Sequence, residues 1–194
     1  MSMNKNHLST HEKFLLIIPA RGGSKGIPRK NMRSLNGEPL IQYVIDLALS
    51  LELEYIDICL STDDREIMQR GFQNKVIVHD RSSKLSDDNA TLDEVVIDAT
   101  SFCESKKGIN YNFVITIQPT SPFLKASTIY NCLKELSQSN AQTVLTTREE
   151  KHLSWGLDDG EFFPNYEKRV NRQWLPPSYV ETGGCVACER DILN

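Results

Sequence analysis

The sequence predicts an α/β protein in three layers, a mostly parallel sheet with helices on both faces. Short apolar runs alternate with amphipathic helical stripes, and the links between them are short. Parallel neighbours need crossover helices, so this alternation predicts a parallel sheet covered on both sides. The segments of unusual composition also each follow the end of a predicted strand, where ligands bind in such sheets.

The elements follow in order. Phe14 to Ala20 (FLLIIPA) is an apolar run that enters a glycine-rich loop, which predicts a buried strand and a turn. Pro39 opens a helix whose Leu40, Ile41, Val44, Ile45, Ala48 and Leu51 share one face. Tyr55 to Leu60 and Lys75 to His79 read as the second and third strands, with a short helix from about Arg65 between them. Leu92, Val95, Val96, Ala99 and Phe102 form another helical stripe. Phe113 to Gln118 is the fourth strand, Ser127 to Leu136 a helix, and Thr143 to Thr147 the fifth strand. From Arg148 to Tyr179 the periodicity fades, yet Trp155, Phe162, Phe163, Tyr166 and Trp174 fall there. Such aromatics are costly to leave in water, so the stretch is expected to pack on a second subunit or fold back on its own domain.

Composition narrows the class. At 194 residues, 39% hydrophobic and 25% charged, the chain fits one globular domain. A net charge of -4 argues against a general nucleic-acid binder, though a phosphate pocket needs only a few local cations. No apolar run approaches the roughly 20 residues that span a bilayer. Residues 1–12 are polar and read as a flexible tail rather than a secretory signal. Five cysteines, an odd number spread along the chain, fit reduced thiols and a cytoplasmic location. Cys185 and Cys188 form a lone CxxC with no second pair, in a segment that reads as a strand. A strand would send those two side chains to opposite faces, against a shared metal.

The loop after the first strand carries the strongest chemical signal. Arg21-Gly22-Gly23-Ser24-Lys25-Gly26 is followed by Arg29-Lys30-Asn31. The glycines are expected to adopt positive φ and let successive backbone N–H groups form an anion seat. Arg21, Lys25 and Lys30 add charge where a triphosphate is negative. The pattern is neither a Walker loop nor a GxGxxG fingerprint.

The string IIPARGGSKGIPRKNMRSLNGEPLIQYVI resembles the opening motif of the acylneuraminate cytidylyltransferases, and the resemblance covers about residues 13 to 190. It implies a Rossmann-like sheet of the nucleotide-diphospho-sugar transferase type with a dimerisation arm. Residues 13–194 would form one cytidylyltransferase domain, with 148–180 as a dimerisation and sugar-binding extension. It also implies the reaction: CTP and a nonulosonic acid sugar give a CMP-sugar and pyrophosphate, with Mg2+ or Mn2+, in a cytoplasmic homodimer that binds neither nucleic acid nor membrane. Such sugars serve lipopolysaccharide or capsule. Within the opening loop, Arg21 and Lys30 would be catalytic, and Gly22, Gly23, Ser24, Lys25 and Asn31 would hold the nucleotide.

Later strand ends extend the resemblance. Leu60-Ser61-Thr62-Asp63-Asp64 either caps the next helix or lies near the nucleotide. His79-Asp80-Arg81 and the segment Leu85 to Thr91 match the part of the family in which Arg81 would contact the nucleotide. There Ala90, Thr91 and Leu92 would read the cytosine edge, because one peptide segment supplies both an acceptor and a donor. The same residues also read as a helix cap. Gln118-Pro119-Thr120-Ser121-Pro122 matches the family's LQPTSP motif with Ile117 in place of leucine, and Gln118 would face the acid sugar. Arg172-Gln173-Trp174-Leu175-Pro176 resembles RQxLP, in which Arg172 would pair with the sugar carboxylate in bidentate fashion.

The pattern breaks in two places. Thr182-Gly183-Gly184 stands where the family usually has asparagine-glycine-alanine. The family continues to an Asp-x-Asp motif that holds magnesium, and this chain has none before Asn194. The C-terminal part of the family domain is therefore expected to be missing, and the metal ligands stay unassigned. The rival readings are a nucleotidyltransferase for another sugar and a nucleotide-binding homologue without catalysis.

Overall fold

The computed structural model describes residues 12–193; of the expected tail, only Glu12 lies within them. The elements run β1 (Phe14–Pro19), β2 (Ser34–Leu35), β3 (Glu38–Pro39), α1 (Leu40–Leu49), β4 (Ile56–Thr62), α2 (Arg65–Gln73), β5 (Ile77–Asp80), α3 (Ser83–Ser86), α4 (Leu92–Lys107), β6 (Phe113–Ile117), α5 (Ala126–Gln138), β7 (Thr143–Glu150), β8 (Trp155–Asp158), β9 (Glu161–Pro164) and β10 (Ser178–Glu189). Every strand and helix expected from the periodicity is present, with boundaries shifted by a few residues at most.

Six strands form one sheet in the order β5-β4-β1-β6-β10-β7. The first four are parallel. The chain winds outward from β1 through β4 to β5, then crosses back to β6 on the other side of β1. The β1/β6 boundary is therefore the point where winding reverses, and a crevice opens there at the carboxyl ends of the strands. The CxxC segment is a strand, as expected, but it enters antiparallel to β6.

Alternation along β1 builds both cores. Phe14, Leu16 and Ile18 join Ile41, Val44, Ile45, Ile67, Ile129 and Leu133 on one face. Leu15 and Ile17 join Val96, Ala99 and Cys103 on the other. Helices α1, α2 and α5 thus cover one face and α4 the other, because successive strand side chains point to opposite sides. Cys185 falls in the first cluster and Cys188 in the second, so the CxxC pair is split across the sheet. All five cysteines are free and buried. Among the described residues no helix is long and apolar enough to cross a membrane.

Helix α4 is fixed at both ends. Thr91 and Glu94 form a reciprocal capping box, Asp93 and Glu94 sit in the first turn, and Lys106 and Lys107 in the last. Gly108 closes it in the left-handed region at φ 67. Each device satisfies free backbone groups or opposes the helix dipole. At the end of the sheet away from the crevice, Arg190 donates two bonds of 2.9 Å to Glu104. Tyr111 donates a 2.8 Å bond to Asp57.

The chain divides into two compact units, one holding the described residues to Thr146 and from Gly183, the other Thr147–Thr182. The smaller unit contains a hairpin the fading periodicity concealed. Strands β8 and β9 pair antiparallel. Asp159 and Gly160 turn between them, both at positive φ (46 and 84), as a two-residue hairpin turn requires.

Candidate nucleotide site

A cleft of about 350 Å³ opens at the carboxyl ends of β1, β5 and β6. The loop after β1 contributes Arg21, Ser24, Lys25, Lys30 and Asn31; Arg81, Ala90, Thr91 and Leu92 line the side beyond β5; Gln118 stands at the end of β6. The larger unit thus brings together nearly all the expected residues. Arg172 lies in the smaller unit, exposed in a short 3-10 turn, Arg172–Trp174.

The loop is not built as its composition suggests. Gly22, Gly23 and Gly26 do not have positive φ; within the loop only Arg29 does, at φ 53. The Gly22 amide is committed to Asp63 Oδ1 at 2.9 Å and the Ser24 amide to the Gly22 carbonyl at 3.1 Å. The expected anion seat of successive amides is therefore not assembled at these positions. Gly22 is required for another reason. A Cβ there would lie 2.8 Å from Asp64 Oδ2, and Asp64 cannot yield, because it caps α2 by accepting from the amides of Glu66 and Ile67. Gly22 and Gly23 do not line the main cleft. Asn31 lines it but also braces the loop, its buried Nδ2 donating to the Arg21 carbonyl at 2.9 Å.

What converges in the cleft is side-chain charge. Arg21 lies 3.1 Å and Lys25 2.5 Å from the Asp88 carboxylate. The hydrogen bond from Lys25, reinforced by the charges of Lys25 and Arg21, holds the Asp88 carboxyl below its ordinary value. The ammonium of Lys30 makes no ion pair among the described residues. Arg81 is 6% exposed, and its Nε and Nη2 have no hydrogen-bond partner among the described residues. Its nearest carboxylate, Asp63, is 3.9 Å from Nη2, beyond hydrogen-bond reach. Burial pushes the Arg81 guanidinium down, Asp63 pulls it up, and Arg21 lowers it further.

Behind Arg81, β5 is anchored by a chain that runs from buried Ser61 and His79 to half-exposed Asp98. His79 Nδ1 lies 3.1 Å from Ser61 Oγ and Nε2 3.1 Å from Asp98. Burial lowers the His79 pKa in spite of Asp98. This chain ties β4, β5 and α4 together two residues before Arg81.

The expected reader of the base is partly occupied. The Thr91 amide donates to Glu94 Oε2 at 2.7 Å and its hydroxyl to the same oxygen at 3.0 Å. The capping reading of this segment thus holds for Thr91, and a donor toward a base must come from a neighbour. The side chain of Gln118 lies beside Gly183. Gly183 sits at φ 65, and a Cβ there would lie 3.3 Å from Gln118 Nε2. Sequence reasoning passed over Asp88 as a partner of Arg21 and Lys25, and Gly183 as the support of Gln118. Opposite charge was the only available signal for the first; nothing local signalled the second.

Among the described residues, no three His, Cys, Asp or Glu side chains group as metal ligands. Asp63 accepts from Gly22, Asp64 caps α2 and pairs with Arg29, Asp87 accepts from Asn89, and Asp88 holds Arg21 and Lys25. Each of these carboxylates is thus engaged by protein groups.

The chain is 34% identical over 178 residues to an N-acylneuraminate cytidylyltransferase of Streptococcus agalactiae serotype V, covering 88% of this chain and 42% of the relative. It is 35% identical over 140 residues to a pseudaminic acid cytidylyltransferase of Campylobacter jejuni, covering 71% of this chain and 59% of the relative. The chain thus spans well under two thirds of the length of either relative. Its fold matches the solved structure of a CMP:2-keto-3-deoxy-manno-octonic acid synthetase complexed with CTP, with a TM-score of 0.65 at 16% identity over 94% of this chain and 76% of that one. The family described as cytidylyltransferase matches residues 15–155, the stretch that builds the crevice and its cations, and the chain belongs to that family.

Proposed function

We propose that this protein transfers CMP from CTP to a nonulosonic acid. The observation that carries the reading is the convergence of Arg21, Lys25, Lys30 and the buried Arg81 with Gln118 in one cleft at strand ends. Four cations suit a triphosphate, and a glutamine amide suits sugar hydroxyls. The anomeric oxygen of the sugar attacks the α phosphorus, the bond to the β phosphate breaks, and pyrophosphate leaves. Positioning and charge neutralisation dominate such transfers. Arg81 and Lys30 hold the phosphate chain in line, Arg21 and Lys25 meet its far end, and Gln118 orients the acid sugar. Mg2+ or Mn2+ would enter with the triphosphate, whose oxygens are common magnesium ligands. Five free, buried cysteines fit a reducing, cytoplasmic setting.

The test is pyrophosphate release by the purified protein with CTP, Mg2+ and a panel of sialic, legionaminic and pseudaminic acids. Release with at least one of them is expected. CTP binding without release for any of them would favour a nucleotide-binding protein that does no chemistry.

The second unit supports a further part of the reading, assembly as a homodimer. Trp155, Leu157, Phe162, Phe163, Trp174 and Tyr179 are all exposed in Thr147–Thr182. Apolar surface of this kind marks an interaction face, and a second copy is the proposed occupant. Sedimentation should show a dimer that Phe162→Asp combined with Trp174→Asp converts to monomer; a monomeric wild type would sink this part.

A further inference from the structure

We infer that Asp88 is an internal stand-in for phosphate. When the site holds no nucleotide, its carboxylate occupies the Arg21–Lys25 pair that the far phosphates of CTP take, so it sets the preference for phosphate-chain length and helps displace pyrophosphate. The inference rests on the nucleotide reading above.

The geometry divides the four cations of the cleft into two kinds. Among the described residues, Arg81 and Lys30 have no hydrogen-bonded carboxylate partner. Arg21 and Lys25 converge on one carboxylate, at 3.1 and 2.5 Å. Arg21 also reaches the Asp87 carbonyl at 3.4 Å, so the guanidinium spans two consecutive acceptors on the opposite wall. These acceptors lie in the short segment between α3 and α4, where Asp87 Oδ1 accepts from the Asn89 amide at 3.0 Å. The carboxylate thus comes from a turned loop that crosses the cleft to the loop after β1, and all three side chains line the cleft.

The contact is also exchangeable. The side chains of Arg21, Lys25 and Asp88 are 35%, 77% and 43% exposed. An ion pair so open to water contributes little and can be traded for a stronger anion. A phosphate chain offers more charge on more oxygens than one carboxylate, and arginine can grip two of them. A buried pair would resist the exchange, because separating it strands charges in a dry interior. CMP can use Arg81 and Lys30 and leave Asp88 in place. CTP must displace Asp88, and once pyrophosphate has separated from CMP the same carboxylate competes for the vacated cations.

Calorimetric titration of the protein with CTP, pyrophosphate, CMP and cytidine, without divalent metal and at low and high salt, tests this. In Asp88→Asn, CTP and pyrophosphate should bind about three- to tenfold tighter at low salt, CMP and cytidine unchanged. The gain should shrink at high salt, because solvated charges are screened. Asp93→Asn makes the same change in net charge from the first turn of α4 and should leave all four affinities as they are. Unchanged or weaker CTP and pyrophosphate binding in Asp88→Asn would overturn the inference. So would equal tightening for CMP, or the same gain from Asp93→Asn. A wild type that binds pyrophosphate but not CTP would overturn the nucleotide reading instead, while tightening of pyrophosphate by Asp88→Asn would keep the stand-in role.

Discussion

Replacing Arg81 with methionine should make the empty protein more stable and nearly abolish CTP binding. The two effects share one cause. Arg81 is almost fully buried, its Nε and Nη2 are unpartnered, and Asp63 stands 3.9 Å away without a hydrogen bond. A buried charge without complete pairing costs more than its attraction returns, and an apolar residue of similar volume removes that cost. Methionine also keeps the unbranched reach of the aliphatic stem. Asp63 still accepts from the Gly22 amide, so little is orphaned. Urea unfolding should show a gain of about 1–2 kcal/mol. On the proposed reading the same nitrogens would become charge-assisted donors to phosphate, each worth about 1.5–3 kcal/mol. Their loss should weaken CTP about a hundredfold or more by calorimetry. A destabilised variant that still binds CTP would show that Arg81 is a structural strut instead.

Lys30→Ala should have the complementary profile: an ordinary fold and turnover reduced about a hundred- to a thousandfold. Lys30 lies in the 3-10 turn Lys30–Met32 and lines the cleft, and its ammonium makes no ion pair among the described residues. Its removal leaves no stranded carboxylate, so stability should stay within about 0.5 kcal/mol. A cation without a carboxylate partner is available to meet charge that grows as pyrophosphate departs, which is where fixed charges accelerate transfer. The loss should therefore fall on kcat more than on KM for CTP. Initial rates of pyrophosphate release decide it, and unchanged turnover would refute the role.

Arg21, Lys30, Arg81, Thr91 and Gln118 gather in one cleft because the sequence records strand ends well. The apolar run at Phe14, the stripe from Leu92 and the Gln118-Pro119 turn are local patterns, and a parallel sheet places their ends side by side. The CxxC segment reads correctly for the same reason, since alternation in a strand is a local property. Three features were not legible. The glycines of the phosphate loop were expected at positive φ, yet the demand on Gly22 is close approach to Asp64, about forty positions along the chain. The Asp88 contacts join segments more than sixty positions apart, and charge alone does not select a partner among 26 acidic residues. The direction and place of β10 follow from which edge of β6 is open, which no window of residues contains. The smaller unit was unreadable for another reason. Its hairpin carries apolar side chains on exposed positions, so burial leaves no period to follow.

The late strand has a consequence for biosynthesis. β7 borders β10 and not β6, although β10 comes after it in the chain. As the ribosome extends the polypeptide, β5, β4, β1 and β6 can assemble first, while β7 must wait with an unpaired backbone edge until the segment around Cys185 has emerged. Non-local pairings of this kind form late, and open edges in the interval invite association between nascent chains.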